Sequence, residues 1–116
     1  MEKIVINGGN PLYGDVEVSG MKNAALPIIF ACILTKDKCR IENLPIISDV
    51  TIALDILESM GAQVDYIDET SVYIDTTNLV CGTAPCELVN KMRASTYILG
   101  AELGRFGRSR IGLPGG

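Results

Sequence analysis

Ser19-Gly20-Met21-Lys22-Asn23-Ala24-Ala25-Leu26-Pro27 is the stretch around which the chain is organised. Upstream, Gly14-Asp15-Val16-Glu17-Val18 alternates polar and apolar residues, the period of a half-buried strand. Downstream, Ala24 to Leu34 is almost wholly apolar and rich in Ala, Leu and Ile, which suits a buried helix. The junction reads as strand, glycine turn and helix start, with Lys22 and Asn23 in the first helical turn. A helix start presents unpaired N–H groups and a partial positive charge of about +0.5. A lysine placed there makes a site suited to a phosphate or carboxylate. The alternative is a solvated lysine beside an asparagine cap. With Asn23 as that cap, Pro27 takes the fourth helical position and its ring crowds the Asn23 carbonyl. Either the cap lies later or the first turn is loosened.

Before this stretch, Lys3 to Asn7 reads as a strand, Gly8-Gly9-Asn10-Pro11 as a turn, and Asp15 to Val18 as a second strand. After it, Thr35-Lys36-Asp37-Lys38 is a polar loop, and Cys39-Arg40-Ile41-Glu42-Asn43-Leu44 alternates as a strand that Pro45 ends. Ser48 resembles an N-cap, with Asp49 in the first turn where the helix dipole favours an anion. Val50, Ala53, Leu54, Leu57 and Met60 follow at helical spacing, and Gly61 supplies the stop. Gln63–Ile67 and Ser71–Ile74 flank the turn Asp68-Glu69-Thr70 as a hairpin. From Pro85 a long helical stretch runs to about Gly104, its apolar line passing through Leu88, Met92, Thr96, Leu99 and Leu103.

Ser109-Arg110-Ile111-Gly112-Leu113-Pro114 then echoes Cys39-Arg40-Ile41-Glu42-Asn43-Leu44-Pro45, each after an apolar helix and a short basic loop. The echo implies a repeated βαβαββ unit, an α/β fold with the first repeat over residues 15–75 and a second, partial one over 78–116. The chain stops mid-unit at Leu113-Pro114-Gly115-Gly116 and is expected to be the front piece of a longer protein.

Composition narrows the chemistry. At 116 residues and 47% hydrophobic, the chain has enough apolar content for one domain with a core. A net charge of -4 argues against non-specific nucleic-acid binding but leaves anionic small molecules open, since they need only local positive charge. No apolar run reaches the roughly 18 residues of a membrane span, and the N-terminus reads as a strand, not a signal peptide, so the cytoplasm is the expected location. Histidine is absent, which removes the commonest general base and metal ligand. Cys32, Cys39, Cys81 and Cys86 contain no C-x-x-C pair, so zinc is not expected and all four read as structural thiols. Arg93 has no acidic residue three or four positions away, so if buried it needs an anion from elsewhere: a distant carboxylate or a ligand phosphate. Arg105, Arg108 and Arg110 read as a solvated loop around Gly104 and Gly107.

Three of these stretches, Ser19–Pro27, Met92-Arg93-Ala94-Ser95 and Leu113-Pro114-Gly115-Gly116, together resemble the bacterial UDP-N-acetylglucosamine 1-carboxyvinyltransferases, a family of enolpyruvyl transferases. The sister family of the shikimate pathway typically has Asp-Lys-Ser where this chain has Met21-Lys22-Asn23. The resemblance implies two domains, each an inside-out α/β barrel of three βαβαββ units. Residues 1–20 would then pack on the other domain, and residues 21–116 would form part of one barrel. It implies transfer of enolpyruvate from phosphoenolpyruvate to the sugar 3-hydroxyl with release of phosphate, the first committed step of peptidoglycan synthesis. No metal or organic cofactor is implied. Lys22 and Asn23 fall on the family's phosphoenolpyruvate-binding pair, and Arg93 falls on its UDP-sugar contact. In the family a cysteine directly follows Leu-Pro-Gly-Gly, acts as general acid and is the target of fosfomycin. This chain stops one residue short, and none of its four cysteines is given that role. The rival reading is a stand-alone, non-catalytic α/β binding module.

Overall fold

The structure, a computed structural model, describes residues 2–112; the Leu113-Pro114-Gly115-Gly116 motif lies outside the described residues. Helix α1 (Lys22–Ala31) starts where the glycine turn predicts, but its N-cap is Met21, earlier than Asn23. The Met21 carbonyl accepts both the Ala24 and the Ala25 amides, at 3.2 and 2.8 Å, which tightens the first turn. Pro27 therefore lies inside the helix, where its missing N–H deprives the Asn23 carbonyl of its i+4 donor. Ala25, Leu26, Ile29 and Phe30 form the buried stripe, and a 3₁₀ turn (Cys32–Leu34) continues it with Cys32 and Ile33.

β1 (Lys38–Ile41), β2 (Gln63–Asp68) and β3 (Ser71–Asp75) make an antiparallel sheet in the order β1-β3-β2, with β2 and β3 as the expected hairpin. Cys39, Ile74 and Val64 share one row, and Ile41 and Val72 pair in another; these side chains join the core. Alternation puts Arg40, Tyr73 and Asp65 on the opposite face. Between the strands, α2 (Ser48–Ser59) buries Val50, Ala53, Leu54 and Leu57 at the predicted spacing. Its N-cap is Ile47, and Ser48 is the first helical residue without a side-chain cap bond, which corrects the capping expectation. Gly61 ends the helix at φ +110°, and a Cβ there would lie 2.6 Å from the Asn78 carbonyl oxygen.

The long helix expected from Pro85 is two helices. α3 (Cys86–Met92) stops at Arg93, which adopts left-handed φ 54°, ψ 43°, and α4 (Ser95–Phe106) begins anew. A left-handed residue resets the helical phase, so the apolar line does not cross the break. Ala94, Ser95, Ile98, Ala101 and Glu102 face inward, whereas Leu99 and Leu103 are 41% and 49% exposed. α1 packs on both α2 and α4, and α2 also packs on α3 and β2.

Two expected strands, Lys3–Asn7 and Asp15–Val18, do not form: residues 2–19 are exposed and join no ladder, with Ile4 89% and Val16 87% accessible. A strand needs a neighbour for its N–H and C=O groups, and none of the described residues offers one. Residues 109–112, the described part of the echo of β1, also lie outside any ladder. Packing begins at Gly20, where a Cβ would sit only 1.9 Å from the Asn43 carbonyl oxygen. From Lys22 to Asp75 the order is α-β-α-β-β, the repeat unit without its opening strand.

Candidate functional site

The starts of α1 and α2 meet. Lys22, the first residue of α1, places Nζ 3.0 Å from Oδ2 of Asp49 in the first turn of α2, with the two side chains 52% and 26% exposed. Asp49 sits where the α2 dipole stabilises an anion, whereas a lysine at the start of α1 opposes that helix's dipole. The pair offsets this conflict. An ammonium has three donors, and at 52% exposure Lys22 keeps capacity for a second anion. Beside it the backbone amides of Lys22 and Asn23 find no acceptor among the described residues, as the geometry of a helix start dictates. The Asn23 side chain is exposed and makes no hydrogen bond among the described residues. A half-exposed cation, two free amides and a carboxamide on one helical turn can hold a small polyanion.

Arg93 caps α3. Its left-handed backbone at the α3–α4 junction carries an exposed side chain that forms no ion pair among the described residues. A distant carboxylate partner, one of the two sequence-based readings, is therefore not found among the described residues. No hydrogen bond or ion pair joins Arg93 to Lys22 or Asn23.

Arg105 overturns the solvated-loop reading. Its guanidinium donates to the carbonyls of Ile33 and Thr77, both at 3.1 Å, and of Thr76 at 2.5 Å, fastening α4 to the ends of the 3₁₀ turn and β3. Thr76, fully buried, donates its hydroxyl to the Cys32 carbonyl at 2.8 Å and strengthens the same junction. Glu102, also fully buried, accepts from the Gly82 amide and the Ser109 hydroxyl, each at 2.7 Å. Sequence reading missed Asp49 as the partner of Lys22 because nothing local marks a contact across 27 positions. Glu102 left a signal: counted from Ser95, it falls on the same helical face as Ile98.

The cysteines are all free. Burial pushes the Cys32 thiol up to about 12, with Cys39 nearby adding to the shift, so Cys32 is unreactive packing. Cys86 is exposed. Among the described residues no group of His, Cys, Asp and Glu has the arrangement to hold a metal ion, and no helix is long and apolar enough to cross a membrane.

A family model described as EPSP synthase (3-phosphoshikimate 1-carboxyvinyltransferase) matches residues 6–116. UDP-N-acetylglucosamine 1-carboxyvinyltransferase 2 of Clostridium tetani is 48% identical over the whole chain, which covers 28% of that protein. The UDP-N-acetylglucosamine 1-carboxyvinyltransferase of Methylacidiphilum infernorum is 49% identical over the whole chain and 27% of its own length. Among solved structures, the enolpyruvyl transferase NikO from Streptomyces tendae superposes with a TM-score of 0.71 at 30% identity, covering 86% of this chain and 23% of that one. The chain thus spans little more than a quarter of the length of the curated relatives it matches.

Proposed function

The chain belongs to the EPSP synthase family of carboxyvinyl transferases, and we propose that it forms part of a UDP-N-acetylglucosamine 1-carboxyvinyltransferase. The full protein transfers enolpyruvate from phosphoenolpyruvate to the 3-hydroxyl of UDP-N-acetylglucosamine and releases phosphate. The observation that carries this reading is the first turn of α1, where Lys22 stands half-exposed beside two unpaired amides. The names of relatives identical at almost half of all positions support the acceptor.

In this reading the chemistry is addition–elimination. Lys22 and the amides of α1 counter charge on the donor's phosphate or carboxylate, and that electrostatic stabilisation acts where charge changes most. Asn23 orients donor oxygens. Arg93, unpaired and with a planar fork, holds the anionic acceptor in place for attack. Residues up to Gly20, extended and uncovered, pack on the second domain. The product feeds peptidoglycan synthesis in the cytoplasm, and the protein is a fosfomycin target. The rival, a stand-alone non-catalytic module, leaves Ile4, Val16 and Val18, each more than 80% exposed, unexplained.

The test is phosphate release by the purified full-length protein with phosphoenolpyruvate and either of two acceptors. Release with UDP-N-acetylglucosamine and none with shikimate 3-phosphate is expected. Release with shikimate 3-phosphate alone refutes the acceptor assignment, and release with neither refutes the catalytic reading.

A further inference from the structure

Glu102 is a buried carboxylate with no ion-pair partner among the described residues. It is 0% exposed, and the nearest arginine on its own helix, Arg105, is committed to three backbone carbonyls. Among the described residues its two oxygens are compensated by the Gly82 N–H and the Ser109 hydroxyl, each at 2.7 Å. Burying an acid this way is costly, and a leucine would fill the same place on α4 more cheaply. What the carboxylate supplies is attachment. One oxygen holds the turn at Gly82 (φ +76°), and the other holds the segment that follows α4.

That segment, Arg108–Gly112, belongs to no ladder, so side chains fix it. Besides Ser109 on Glu102, the Gly112 carbonyl accepts from Ser95 Oγ at 3.1 Å, and the Arg108 carbonyl accepts from Cys81 Sγ at 3.4 Å. The Gly82 turn packs directly on Arg110, since a Cβ there would meet Arg110 Cβ at 3.1 Å. Between the segment and the first turns of α4 lies a groove of about 430 Å³, bounded by Ser95, Thr96, Leu99, Arg110 and Gly112. Ser95, which lines the groove, is two residues beyond Arg93, so the groove reaches the α3–α4 junction although Arg93 itself does not line it.

We propose that Glu102 is a positioning residue for acceptor binding: through Ser109 and Gly82 it fixes the wall of the groove beside Arg93. This rests on the reading of Arg93 as a UDP-sugar contact. Loosening the wall lowers affinity for the nucleotide sugar and leaves the donor side, on α1, undisturbed.

The experiment uses the full-length protein and steady-state kinetics with each substrate varied in turn. Glu102→Leu and Ser109→Ala should each raise the UDP-N-acetylglucosamine KM at least ~5-fold, with the phosphoenolpyruvate KM unchanged. Glu102→Gln should restore the wild-type value, because its carbonyl accepts from Gly82 and its amide donates to the Ser109 oxygen. If Glu102→Leu fails to fold, Ser109→Ala decides alone. A wild-type sugar KM in Ser109→Ala overturns the proposal, as does a parallel loss for both substrates that Glu102→Gln does not relieve. Arg93→Ala is measured alongside. Lost sugar affinity there with an unchanged Ser109→Ala overturns this proposal only, whereas unchanged affinity in Arg93→Ala overturns the underlying reading and this proposal with it.

Discussion

Lys22→Gln separates the ion pair this side chain makes from the donor-binding role proposed for it. In the structure it closes a 3.0 Å ion pair with Asp49, with side chains 52% and 26% exposed. Pairs this open contribute about 0.2–1 kcal/mol after solvent screening and side-chain ordering. Against that, a cation at a helix start costs about 0.3–1 kcal/mol. The two nearly cancel, so stability should move by less than ~1 kcal/mol in either direction. Catalysis should respond differently, because the amides of α1 alone do not neutralise a phosphoenolpyruvate trianion. We expect kcat/KM of the full-length enzyme to fall at least ~100-fold, which is ~2.7 kcal/mol of lost transition-state stabilisation. Lys22→Arg keeps the charge but replaces a compact ammonium by a broad fork, so it should recover only part of the activity. The assay is phosphate release at saturating UDP-sugar with phosphoenolpyruvate varied, run beside urea unfolding. Wild-type kinetics would reduce Lys22 to a surface charge paired with Asp49. A loss of more than ~2 kcal/mol of stability would instead make the ion pair a structural element and refute the cancellation.

Gly20→Ala should destabilise the full-length protein by at least ~2 kcal/mol in urea unfolding, because its Cβ would lie 1.9 Å from the Asn43 carbonyl oxygen and 3.1 Å from Pro45 Cδ; an unchanged midpoint would mean that Gly20 does not lie against the Asn43 carbonyl. Arg105→Met should cost about 2–4 kcal/mol by stranding three carbonyl acceptors, with Arg105→Lys recovering part, whereas a loss under ~0.5 kcal/mol would return Arg105 to the solvated loop. Cys32 should resist iodoacetamide in the native protein at pH 8 while Cys86 is alkylated, since burial pushes the Cys32 thiol up to about 12 and keeps it neutral. Peptide mass mapping after brief labelling checks this, and native modification of Cys32 would contradict its burial.

What the sequence determined by itself was whatever depends on near neighbours. The apolar spacing through Val50, Ala53, Leu54, Leu57 and Met60, closed by Gly61, defines α2 because burial of one helical face is a local periodicity. The β2–β3 hairpin follows for the same reason, and so does the start of α1 at Lys22 after the glycine turn. Lys22, Asn23 and Arg93 were also legible as candidate site residues, through motifs of short span. Tertiary structure decided the rest. The left-handed turn at Arg93 resets the phase of α4 and carries Leu99 and Leu103 outward, and no periodicity records such a break in advance. The strand pattern of Asp15–Val18 is sound locally, but a ladder exists only where a second strand supplies hydrogen bonds. Lys22 finds Asp49, Arg105 finds the carbonyls of Ile33, Thr76 and Thr77, and Glu102 finds Gly82 and Ser109, because packed helices bring distant positions within 3.1 Å. Those partners are fixed by the geometry of the assembled core, and residue identity along the chain contains the donors and acceptors without the distances between them.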